Sequence, residues 1–128
     1  MKKGLQFILA ILSMIPILIG LLGITQGTTR WLPAGSITPD FDTHYRYITG
    51  YYLSLGMLGF WMIPKIEQHT GLFRIICASV FMGGVGRVFS IIQVGMPNLL
   101  ALMFTGLELC FPLLLLWQAK ISRKRQHD

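Results

Sequence analysis

The chain alternates long uncharged runs with short clusters of charge. Residues 4–29 carry no ionisable side chain, and Leu5 to Ile24 are almost wholly Ile, Leu, Met, Phe, Ala and Gly. A second uncharged run covers Tyr47 to Pro64. A third extends from Leu72 to Val94 and is broken by Arg74 and Arg87. A fourth runs from Leu99 to Ala119 and is broken by Glu108. About twenty apolar residues, rising ~1.5 Å each in a helix, cross a hydrocarbon layer of about 30 Å. The pattern therefore predicts four spanning helices over residues 5–25, 43–64, 72–94 and 99–119. Between the last two, Gly95-Met96-Pro97-Asn98 places two helix breakers in a turn.

In lipid a backbone must satisfy its own hydrogen bonds, and these runs are too long for barrel strands. A soluble helical bundle would show polar faces repeating at the helical period, which the runs lack. The expected fold class is thus all-α, an integral membrane four-helix bundle forming a single transmembrane domain over residues 1–128. A cleaved secretory signal, the rival for the first run, is disfavoured by the length of the run and by the lack of an A-x-A site after it.

Composition supports the same solvent. Of 128 residues, 53% are hydrophobic and 12% charged, against about 25% charged in an average soluble domain. The net charge of +6 lies in clusters rather than along a face, which argues against a nucleic-acid-binding domain or a disordered tail. Lys2, Lys3, Lys65, Arg74, Lys120, Arg123, Lys124 and Arg125 fall on one side of the expected topology, while Arg30 and Arg46 fall on the other. The positive-inside rule then places both termini in the cytoplasm and the loop 26–42 outside. Trp31, Tyr45, Tyr47, Trp61 and Trp117 lie near span ends, where amphipathic rings anchor in the headgroup zone. Orientation also accounts for the basic tail without a specific partner.

Two charges interrupt the apolar runs. Arg87 stands eight residues before Gly95 and Glu108 ten after Asn98, depths of roughly 12 and 15 Å from the connecting turn. A lone charge at mid-membrane is unfavourable by about 2.5–3.5 kcal/mol even on insertion scales, so opposite charges at one depth on adjacent helices should pair. Ser79, Gly83, Arg87 and Ser90 share one helical stripe, and Ala101, Thr105, Glu108 and Pro112 share another. Small residues on these stripes admit close approach and predict that both face the interior. On the second helix Asp42 and Arg46 form an i,i+4 pair, with Asp42 read as the helix N-cap. With His44 and Gln93 these residues define a candidate outward-opening cluster: Asp42, His44, Arg46, Arg87, Ser90, Gln93 and Glu108.

Three readings of that cluster stay open: a salt bridge that only fixes helix register, a site for an anionic or amphiphilic headgroup, and proton transfer through Glu108. The glycines of Gly83-Gly84-Val85-Gly86 lack the strand, Lys and Ser/Thr of a phosphate loop and read as packing residues, as do Gly20, Gly23 and Gly27. Cys77 and Cys110 show no metal spacing and read as inert thiols. No metal and no cofactor is expected.

The sequences Asp42-x-His44-x-Arg46-Tyr47-x-x-Gly50, Phe81-Met-Gly83-Gly84-x-Gly86-Arg87-x-x-Ser90, Gly95-x-Pro97 and Glu108-x-x-x-Pro112 resemble a bacterial family of small four-span membrane proteins, domain of unknown function 4345. The resemblance covers nearly the whole chain. It implies a bacterial inner-membrane helical bundle, with Asp42, Arg46, Arg87, Ser90 and Glu108 among its signature polar positions, and no established activity. The function expected from the residues is a small polytopic membrane protein whose outward polar pocket binds a small amphiphile, a lipid headgroup or a partner helix. The alternatives are a membrane enzyme acting on a lipid-like substrate, a proton-coupled transport component and a structural scaffold. No nucleophile or cofactor motif supports the enzyme. Expected partners are the lipid bilayer, an amphiphilic ligand or membrane-protein partner, and a second copy of the chain, with no nucleic acid.

Overall fold

The computed structural model describes residues 2–127; the side chains of residues 122 and 124–127, among them Lys124 and Arg125 of the basic tail, lie outside the described set. Five α-helices follow in order: α1 (Lys2–Gln26), α2 (Pro39–Met62), α3 (Thr70–Val94), α4 (Leu99–Cys110) and α5 (Leu113–His127). Short 3-10 turns occupy Gly27–Arg30, Ala34–Ser36 and Ile63–Lys65, and no strand occurs among the described residues. The fold class is all-α, as the hydrophobic pattern predicts.

Two segments are long and apolar enough to cross a membrane, Lys2–Arg30 and Thr70–Val94, and a third qualifies if Leu99–Cys110 and Leu113–Ile121 are counted as one bent span. Helix α2 is as long, at 24 residues, but its first two turns carry Asp40, Asp42 and Arg46 and dilute its apolar character. Large apolar side chains stand exposed along the long helices, including Phe7, Ile11 and Leu18 on α1 and Ile75, Met82, Phe89 and Ile92 on α3. Contiguous apolar surface of this kind is rare on water-soluble monomers.

Two expected boundaries move. The second helix begins at Pro39 rather than near residue 43, because Thr38 is the N-cap, its side chain accepting from Phe41 N at 3.3 Å, and Pro39 sits at the first helical position, where its missing N–H costs nothing. Asp42 is therefore inside the helix and not its cap. The expected continuous helix over 99–119 is broken at Pro112. Proline offers no N–H and its ring crowds the carbonyl four residues back, which is that of Glu108. The chain tightens instead, with Phe111 N donating to Glu108 O at 3.3 Å and Leu114 N to Phe111 O at 3.1 Å. The axes of α4 and α5 differ by 42° as a result.

The chain divides into two compact units, Gln6–Pro64 and Met1–Leu5 with Lys65–Asp128. In the first, α1 and α2 run antiparallel along a seam of small residues. A Cβ on Gly20 would lie 2.6 Å from Leu53 N, and one on Gly56 would lie 2.9 Å from both Ile17 N and Ser13 O. Gly23 faces Thr49 and Gly59 faces Ser13 along the same seam. Such backbone proximity is how helices associate where lipid removes the hydrophobic driving force. At the far end Gln6 Nε2 donates to Ile63 O at 2.9 Å.

In the second unit α3 and α4 pack across the turn at residues 95–98, and Gly84 is the point of closest approach: a Cβ there would lie 3.1 Å from Glu108 Cβ and Leu109 Cδ2. Its core gathers Leu5, Ile66, Phe73, Ile76 and Cys77, all buried, whereas Cys110 is exposed. Gln118 is 1% exposed and donates to Ile66 O at 3.0 Å and Thr70 Oγ1 at 2.8 Å. Lys2 Nζ meets Glu67 Oε1 at 2.8 Å, and Gly4 lies under the Trp117 ring.

Candidate functional site

The candidate residues fall into two groups, one in each unit. In the first unit the chain leaves α1 through Gly27, whose φ of +60° is the left-handed conformation that side chains disfavour. A Cβ there would also collide with the Asp42 carboxylate and the Arg46 guanidinium. This turn presents the backbone N–H and hydroxyl of Thr28 to Asp42 Oδ1 at 2.7 and 2.8 Å. Asp42 Oδ2 accepts from Arg46 Nε at 2.7 Å, and Arg46 Nη1 donates to the carbonyls of Ile24 and Thr25. The Thr28 N–H, then the Arg46 guanidinium and the Thr28 hydroxyl, hold the Asp42 carboxyl down from 3.8 to about 2. Arg46 thus covers carbonyls that the last turn of α1 cannot satisfy, and Asp42 fixes the following turn. The pair is a structural knot that closes the α1–α2 hairpin.

An aromatic group surrounds the knot. Trp31 Nε1 donates to Tyr45 OH at 2.9 Å, the Arg30 guanidinium lies 5.6 Å from the Trp31 ring centroid, and the hydroxyls of Tyr47 and Tyr51 are 2.8 Å apart. His44 is exposed, its ring 6.2 Å from that of Tyr47.

In the second unit Arg87 Nε lies 2.8 Å from Glu108 Oε2. The similar distances of the two residues from the connecting turn anticipate this pair. Full enclosure does not follow: the Glu108 side chain is 13% exposed and that of Arg87 36%. The packed face of α3 is also rotated from the expected stripe. Phe73, Ile76, Cys77 and Gly84 are buried, while Ser79 and Gly83 are exposed, and the Ser79 hydroxyl bonds back to Ile75 O at 3.0 Å. Gly84 rather than Gly83 makes the close contact, so Arg87 emerges at the edge of the α3–α4 interface instead of its centre. Thr105 is buried as expected and donates to Ala101 O at 2.8 Å.

Arg87 opens onto a cleft of about 100 Å³ lined by Arg87, Ser90 and Ile91 of α3, by Gly95 and Pro97 of the turn, and by Ala101 and Thr105 of α4. Gly95, at φ +118°, lets the chain leave α3 sharply. Asn98 then starts α4, its side chain accepting from Ala101 N at 2.9 Å. Gln93 lies on the exposed end of α3, outside this lining. Among the described residues, no group of three or more His, Cys, Asp or Glu side chains is placed to hold a metal ion.

Gln118 and the Lys2–Glu67 pair are polar contacts that the pattern of charges within the apolar runs does not announce. For Gln118 there is a signal, a lone amide within the run from Leu113 to Ala119; a polar group in such a setting needs a buried partner.

Helices that can cross a bilayer, lipophilic outer surfaces and an Arg–Glu pair beside a cleft together fit the class of small helical membrane proteins. The model of the family described as domain of unknown function (DUF4345) matches residues 4–119, and the chain belongs to that family. No curated protein and no solved structure matches it.

Proposed function

We propose that the chain is a multi-pass protein of a bacterial inner membrane, with four spans and both termini cytoplasmic, whose 95–98 turn lies on the outward side and whose Arg87 cleft receives the head of a small amphiphile. The reading is of a binding protein rather than an enzyme, in contact with the lipid bilayer and free of cofactors. The observation that carries it is the position of Arg87. The side chain lines an open cleft and is 36% exposed while its Nε holds Glu108. A cation in a spanning helix draws polar groups toward it, and the head of an amphiphile in the cleft would join Glu108 beside it. Ser90 adds a hydroxyl to the same lining. Asp42 and Arg46, expected from the sequence among the site residues, lie in the first unit and bond Thr28 and the end of α1.

Native mass spectrometry of detergent-extracted protein tests the proposal. The wild-type chain is expected to carry a co-purifying amphiphile that Arg87→Ala loses, with helical content and monodispersity retained. A wild-type protein without any bound small molecule, together with undisturbed behaviour of Arg87→Met/Glu108→Leu in cells, would leave the ion pair as a register device alone.

A further inference from the structure

On the side turned away from α1, helix α2 carries a line of hydrogen-bonding side chains that lipid does not satisfy, and from it we infer that the chain pairs with a second copy of itself through α2. The inference rests on α2 being one of the four proposed spans and adds what covers its free face.

Spacing comes first. His44, Tyr47, Tyr51, Ser54, Leu58 and Trp61 follow one another at alternating intervals of three and four residues, the repeat of a left-handed helix pair. All six are exposed, Tyr47 and Tyr51 each to 61%. By the helical period the line lies opposite Thr49 and Gly56, the residues that meet Gly23 and Ile17 of α1. The α1–α2 seam therefore leaves this face uncovered. Tyr51 and Ser54 stand about 16 and 12 Å from the Met62 end of the helix, in its middle stretch. The free face of α1, by contrast, shows lipid Phe7, Ile11 and Leu18, which need no partner.

Chemistry then selects the copy. Tyr47 and Tyr51 share one hydrogen bond, hydroxyl to hydroxyl at 2.8 Å, so the two phenols together retain one O–H to give. Ser54 Oγ donates to Gly50 O at 3.0 Å and keeps its lone pairs. A hydroxyl both donates and accepts, so each of these groups can bond to its own kind. Two copies in one membrane share an orientation, and a two-fold axis along the bilayer normal sets every residue of α2 against its counterpart at equal depth. The Tyr47–Tyr51 pair then meets the same pair, and the small side chain of Ser54 lets the two backbones come close at the centre. An unrelated helix would need donors and acceptors at the same depths, which the copy supplies by symmetry. Between Asp40 and Lys65 the line holds no Asp, Glu, Lys or Arg, so the axis brings no like charges together within the lipid. Leu58 and Trp61 complete the seam with apolar contact.

Disulfide scanning of the full chain in bacterial membranes tests the pairing, with Cys110→Ser removing the exposed native thiol. Tyr51→Cys, Ser54→Cys and Leu58→Cys, each introduced singly, are expected to give disulfide-linked dimers on oxidation with copper phenanthroline. Ile48→Cys and Phe60→Cys, at positions equally open but on other sides of the helix, are expected to give none. Tyr47→Phe/Tyr51→Phe, which keeps the rings and removes the hydroxyls, should weaken dimerisation of the detergent-extracted chain by about threefold to thirtyfold in sedimentation equilibrium. The cysteine scan decides the matter if that double variant fails to fold. Crosslinks at all five positions, or at none, would overturn the inference, as would unchanged dimerisation in the double variant. Reporter fusions at the two termini separate such a failure from failure of the four spans. Equal activity at both termini without a crosslink removes the dimer alone, whereas opposite activities without a crosslink overturn the four-span reading together with it.

Discussion

The four charges that the sequence singles out do different work, and the difference lies in what their atoms touch. Asp42 is held as a carboxylate by the Thr28 backbone, Arg46 and the Thr28 hydroxyl, with its pKa lowered from 3.8 to about 2. A carboxyl depressed in the folded state contributes stability that is complete above its ordinary pKa and disappears as pH falls through the folded value. Thermal unfolding of the detergent-solubilised chain should therefore show a constant advantage of wild type over Asp42→Asn at neutral pH. The advantage should shrink between about pH 4 and pH 2. A gap independent of pH would show that the carboxylate's charge is not what the knot uses.

Arg87 and Glu108 make the contrasting case, a pair whose partners compensate each other. Glu108→Leu leaves the guanidinium without its carboxylate and should cost roughly 1–3 kcal/mol, the usual range for an unmade charged hydrogen bond. The 36% exposure of Arg87 places the value toward the lower end. The double variant Arg87→Met/Glu108→Leu should cost less than the sum of the two single changes, a coupling that unfolding titrations in mixed detergent would measure. Additive losses would mean that the two side chains act independently.

At the scale of elements, the seam between α1 and α2 and the break in front of α5 are both backbone phenomena. Gly20 and Gly56 lie against backbone atoms of the opposite helix, which cannot move aside as a side-chain tip can. Gly20→Ala should destabilise the chain by about 1–3 kcal/mol through overpacking. Gly50→Ala, where a Cβ meets nothing within 4 Å, should be neutral or stabilising by up to ~1 kcal/mol from helix propensity. Equal effects at the two positions would remove the seam as the reason for the glycines.

The same elements show how far the sequence could be read. Long apolar runs announce the helices because lipid-facing segments need no polar face, and the turn at Gly95-Met96-Pro97-Asn98 announces itself by its breakers. The Arg87–Glu108 pair was legible because depth along a helix is arithmetic. Rotation about the helix axis was not. Gly83 and Gly84 are adjacent, and only the fit of Glu108 and Leu109 against the backbone selects Gly84. The break at Pro112 was half-visible, since proline weakens a turn wherever it stands, but whether the chain bends or ends depends on the packing around it. The roles of Asp42 and Arg46 were hidden for another reason: their partners are backbone groups of Ile24, Thr25 and Thr28, and backbone leaves no trace in residue identity.

For the whole molecule, the distribution of basic residues sets the prediction. Lys2, Lys3, Lys65 and the positive tail lie on the side opposite Arg30 in the proposed topology. Fusions of a cytoplasm-active reporter at either terminus should both be active, and fusions of a periplasm-active reporter at either terminus should both be silent. One active and one silent terminus would mean an odd number of crossings and would remove α2 or the bent α4–α5 segment from the spans.

The two cysteines add a property for which evolution need not have selected. Cys77 is buried, and Cys110 stands exposed at the last turn before Pro112. A membrane-permeant maleimide should modify the second quickly and the first only when the second unit opens. The ratio of the two adducts is thus a native clock for unfolding of the second unit, legible by peptide mass without any engineered label.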